Sequence, residues 1–222
     1  MATNRAVGRN QLGVAEAQFA RVARSGSALH PQLLALLAAS GPSAARDLAD
    51  AVHLLCQLHG RHPGLIDLAI QAGTGGGAAG WLAEAAEAFE RERLYLVRLT
   101  SAVGPVPSTA GSAQAEAALL AQRHALETLA TSERKGCALG AVTALVEDWR
   151  SLRRVLDRAA QRAGLDVPAP TLPDEQSVAL AIQAGADSPG AERALGFGSE
   201  QLLLQHHALF DLLEARAQSR LD

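Results

Sequence analysis

The sequence predicts an all-α fold, an antiparallel helical bundle with additional short helices, and three observations carry that prediction. Apolar residues recur at helical spacing along most of the chain, and alternating β-branched runs are absent. Alanine and leucine dominate while aromatic residues are only 3%, a composition that favours close helix packing over sheets. Glycine and proline clusters fall between the periodic segments, where helices must end.

Residues 10 to 24 read as a weak helix. Pro31 marks the start of a short helix that ends at Gly41-Pro42, and Ser43 is placed to cap a strong amphipathic helix running to Gly60. His62-Pro63 breaks the pattern, "GLIDLAIQA" follows as a short apolar segment, and "GTGGGAAG" reads as a flexible link. That glycine run lacks the leading strand and the closing Gly-Lys-Ser/Thr of a phosphate loop. A helix spans Trp81 to Ala102 and stops at "GPVPSTAGS". Gln114 to Ala163 is helical throughout, but unbroken it would be a rod of about 75 Å. Its apolar stripe changes face, so a turn is expected near Thr131 to Gly136. A proline-rich connection, a helix from Asp174 to Ala186 and a last helix from Ala191 to Arg216 complete the chain. These divide it into an N-terminal segment with a weak helix (1–25), a bundle core (26–164), a proline-rich connection with a short helix (165–190) and a closing helix (191–222).

Composition narrows the function. The 48% apolar and 19% charged residues are those of a globular protein. Net charge is −3, and the basic residues are dispersed, so nucleic acid is not an expected partner. The arginine-rich helix "WRSLRRVLDRAAQR" carries Arg150, Arg153, Arg154, Arg158 and Arg162 among aspartates and reads as a solvated face. The amino terminus has no signal-like apolar core, and the longest apolar runs are about half of what a bilayer requires. A cytoplasmic protein without membrane association is the expectation. Cys56 and Cys137 sit in separate helical patterns, which indicates no disulfide framework.

Helical phase sorts the polar residues. "AQRHALETLATSER" pairs His124 with Glu127 at the spacing of a reversed Glu-x-x-His motif, yet with Leu119, Leu126 and Leu129 turned inward both point away. Asp50 and His53 fall opposite the apolar face of their helix, and His207, Asp211 and Glu214 read as solvated. Four residues, each on a different helix, face inward: His59, Glu92, Gln122 and His206. A buried carboxylate demands a partner. The set suits a hydrogen-bonded core network, a pocket for an organic ligand, or a metal site in which His59, Glu92 and His206 hold iron, manganese or zinc.

The segments "DLADAVHLLCQLHGRHPGLIDLA", "WLAEAAEAFERERLYLVRL" and "QRHALETLATSERKGCALGAVTALVEDWRSLRRVLD" resemble an uncharacterised family of all-helical proteins of alphaproteobacteria, sphingomonads in particular. That resemblance covers most of residues 28 to 218 and implies no activity and no catalytic residues. The outline is also similar to ferritin-like bundles, whose two Glu-x-x-His motifs have no counterpart here. The expected role is a partner-binding or oligomeric scaffold, a homo-oligomer or one bound to another protein; the alternative is a ferritin-like or related bundle oxidoreductase with an interior metal or cofactor.

Overall fold

The computed structural model describes the backbone of residues 2–220 and the side chains of 13–220. The reading of the first twelve residues as unlike a signal therefore lies outside the described side chains. Among the described residues the fold is all-α, with helices α1 (Ala2–Ser25), α2 (Pro31–Ala38), α3 (Gly41–His59), α4 (Leu65–Gln71), α5 (Ala79–Ala102), α6 (Ser112–Ala130), α7 (Cys137–Ala163), α8 (Glu175–Gly185) and α9 (Pro189–Gln218). None of them is long and apolar enough to cross a membrane.

Local chemistry sets the boundaries. Pro31 and Pro189 stand in first turns, where a missing N–H costs nothing. Asp174 and Ser188 cap α8 and α9 by accepting from the backbone N–H groups of Ser177 and Ala191. Ser43 does not cap α3; the helix begins two residues earlier, at Gly41, with Ser40 before it. The break expected near Thr131–Gly136 is present, and Gly136 supplies the left-handed backbone (φ 94°) that turns the chain into α7. The glycine run at 73–80 includes a single 3-10 turn, Gly76–Ala78, whose Ala78 is buried.

Helix α7 is the axis of the molecule. Every residue from Cys137 to Trp149 is buried, because α3, α5, α6, α8 and α9 all pack on this one helix. Its most extensive partner is α9. The two backbones approach so closely that a Cβ on Gly140 would overlap the carbonyl oxygen of Leu195, and one on Gly198 would overlap that of Cys137. Small residues make that packing possible.

Two surface assignments are corrected by this packing. Asp50 is fully buried, clamped by Arg216 through three contacts of 2.7 to 3.1 Å and by Arg220 at 2.7 Å, because the end of α9 covers the second side of α3. Arg153 is likewise buried, not part of a solvated arginine face. Of the other residues read as solvated, Asp211 is exposed, whereas His53 and His207 are half-buried and within hydrogen-bond distance of the carbonyls of Gly104 (2.8 Å) and Gly26 (3.3 Å).

Candidate functional site: a histidine chain behind a cavity

Helix α3 ends on His59, which is buried and sits edge-on to Trp149 of α7, with ring centroids 5.4 Å apart. Phe89 of α5 closes the aromatic corner, 4.8 Å from Trp149. Within it, His59 Nε2 lies 3.1 Å from Nε2 of His206, which α9 buries completely. The other nitrogen of His206, Nδ1, lies 2.6 Å from Oδ2 of Asp148 on α7. Asp148 in turn accepts the backbone N–H of Ser27 (2.7 Å) and its hydroxyl (2.6 Å), in the turn between α1 and α2. The result is a continuous chain, Ser27–Asp148–His206–His59, drawn from four parts of the sequence.

Its electrostatics are directional. Burial pushes the Asp148 carboxyl up, but the hydrogen bond and charge of His206 and the two bonds from Ser27 override it and hold Asp148 below the ordinary carboxylate range. Burial, with a smaller repulsion from His206, depresses His59 well below the usual imidazole range, so it stays neutral. An ionised Asp148 can only accept, and therefore His206 Nδ1 carries a proton. One further proton must lie between the facing Nε2 atoms. A charge carried by the pair therefore rests on His206, beside Asp148; when that charge is absent, the proton between the two Nε2 atoms belongs to His59, which leaves His59 Nδ1 as a bare acceptor.

His59 also lines a cavity of about 800 Å³, within the range of small-molecule sites. The inner wall is apolar, with Leu58, Leu65, Phe89, Leu126 and Leu145; the outer part carries Arg61, His62, Arg123, His124 and Glu127. His124 and Glu127 are exposed, 81% and 61% at the side chain, and stand 3.9 Å apart at the mouth of this cavity.

The four inward candidates thus part company. His59 and His206 meet. Glu92 takes different partners: Arg153 Nη1 donates to both its oxygens (2.7 and 2.9 Å) and the Trp149 indole N–H donates at 3.0 Å. Trp149 therefore separates Glu92 from His59, touching one with its ring and the other with its N–H. Gln122 is buried on α6 with its amide oxygen unpartnered, and it makes no hydrogen bond to the other three. Among the described residues no three His, Cys, Asp or Glu side chains lie together as metal ligands. The donor set does not fit iron, manganese or zinc held by His59, Glu92 and His206.

Sequence reasoning missed Ser27, Asp148 and Arg153. Arg153 had a signal, since it follows Trp149 by four residues and shares its side of the helix. Ser27, in a turn, had none.

A family of unknown function (DUF6975) matches residues 22–221. Comparison with curated proteins and with solved structures finds no match.

Proposed function

The chain belongs to a family of unknown function (DUF6975), and we propose that it binds a small organic molecule in the 800 Å³ cavity and accepts a hydrogen bond or proton from it at His59. The observation that carries this reading is the Asp148–His206–His59 chain ending on the cavity wall. A proton taken up at His59 Nδ1 lets the Nε2 proton pass to His206 Nε2. The positive charge then rests on His206, beside Asp148, and not on His59. A neutral, buried histidine backed in this way is a base whose conjugate acid is stabilised from behind. The reaction class it suits is proton abstraction from a bound hydroxyl or acidic carbon.

The probe is para-nitrophenol, whose visible band reports loss of its proton. With the wild-type protein in excess, the bound dye should ionise more than free dye at the same pH. His59→Gln should abolish that change while keeping the helical circular dichroism. No binding, or the same band with the glutamine variant, defeats the reading.

A second reading, a partner-binding or oligomeric bundle, draws on Leu94 and Val97, which lie one turn apart on α5 and are 56% and 45% exposed. It predicts self-association in light scattering that Leu94→Glu removes.

A further inference from the structure

We infer that the molecule taken by this cavity is an organic anion: an apolar body with a carboxylate at one end and a hydrogen-bond donor at the other. The inference rests on the cavity reading above and adds the class of ligand. The side chains lining the cavity carry two arginines, Arg61 and Arg123, and three histidines, His59, His62 and His124, against a single carboxylate, Glu127. Neither arginine's guanidinium has an ion-pair or hydrogen-bond partner among the described residues. Glu127 lies 3.9 Å from the His124 ring. Two unpaired forks of donors at the mouth of the cavity suit a planar carboxylate, which each can grip through paired N–H groups.

The exposure of the lining residues sets the order along the cavity. Arg61 is exposed and Arg123 half-exposed, whereas His59 is 5% exposed and Phe89 is buried against it. Charge therefore stands at the mouth, apolar wall behind it, and the neutral proton acceptor innermost. A ligand that satisfies all three has its anionic group outward and its hydroxyl or other donor inward. A cationic ligand would meet the arginines first.

The test uses three molecules of one shape: hydroxyphenylpropionate, the corresponding amide, and tyramine, each measured by displacement of para-nitrophenol. The acid should bind about tenfold tighter than the amide, as charge-assisted bonds exceed neutral ones, and added salt should weaken that preference. Arg61→Ala/Arg123→Ala should bring acid and amide to within about twofold of each other, the range left to exposed charges. Arg61→Glu/Arg123→Glu should turn the preference toward tyramine. His59→Gln should weaken all three and leave their order unchanged. If para-nitrophenol binds but the amide or tyramine matches the acid, the anion inference is overturned while the cavity reading stands. If para-nitrophenol and all three fail to bind, both are overturned.

Discussion

Asp148 gives up hydration for three hydrogen bonds, two from Ser27 and one with His206. Removing it leaves a buried imidazole N–H and a buried serine without an acceptor, and such orphaned groups are costly. Asp148→Ala should therefore lower unfolding free energy by about 3 kcal/mol in urea titrations. Asp148→Asn keeps the shape and most of the bonds, so it should cost clearly less, yet it should impair ionisation of bound para-nitrophenol because the charge opposite His206 is gone. Equal stability losses for the two variants would contradict this division between bonding and charge. Arg153 shows the same logic at a second position. It pairs with Glu92 and with Asp157 (2.6 Å) and lies over the ring of Tyr95, 4.4 Å from its centroid. Burial, reinforced by Asp157, pushes the Tyr95 hydroxyl up, which keeps it neutral.

At the scale of elements, the α7–α9 crossing fixes where His206 meets Asp148, since both residues belong to that pair of helices. Gly140 and Gly198 let the helices touch backbone to backbone. Gly140→Ala inserts a methyl group against the Leu195 carbonyl, which cannot rotate away as a side chain would. The expected cost is about 3 kcal/mol, at the upper end for overpacking, even though alanine favours the helix itself. A thermal melt unchanged or raised by Gly140→Ala would show that the helices separate at little cost. The elements also show what sequence can reveal. Helix α5 has one buried side, so the spacing of Trp81, Leu82, Ala85, Phe89 and Leu96 places Glu92 inside. Helix α7 is buried all round from Cys137 to Trp149, so phase says nothing about Asp148. Asp50 misleads for a related reason, because α3 is covered on two sides and only one of them is strongly apolar.

For the whole molecule, the buried chain ties stability to pH. His59 has a folded pKa below its unfolded value of about 6.5, so the unfolded chain binds more protons between the two. Its contribution is complete above about pH 6.5 and is lost on acidification at up to about 1.4 kcal/mol per pH unit. Asp148, depressed in the same sense, contributes above about pH 3.9 and loses that contribution as pH falls through its lower folded value. Urea unfolding of the wild type should weaken first below about pH 6.5, and His59→Gln should flatten that first phase. A wild-type profile flat from about pH 7 to pH 5 would contradict a buried neutral His59.

The order of the helices and the break before α7 were legible from periodicity and turn chemistry. The histidine chain was legible only in part, since Ser27, Asp148 and His206 are brought together by tertiary packing across 121 and 58 residues of separation. The claim on which the functional reading depends is that this chain delivers a bare, neutral His59 Nδ1 to the cavity. Nitrogen-15 spectra of the imidazole rings test it directly, with His59→Gln and His206→Gln used for assignment. At about pH 8, above the usual imidazole range, His59 should be neutral with its proton on Nε2, and His206 should hold a proton on Nδ1 against Asp148. Para-nitrophenol, added at a pH low enough that the free dye keeps its proton, should then shift the His59 Nδ1 resonance as it accepts. A charged His59, or an Nδ1 resonance indifferent to the dye, would contradict the account.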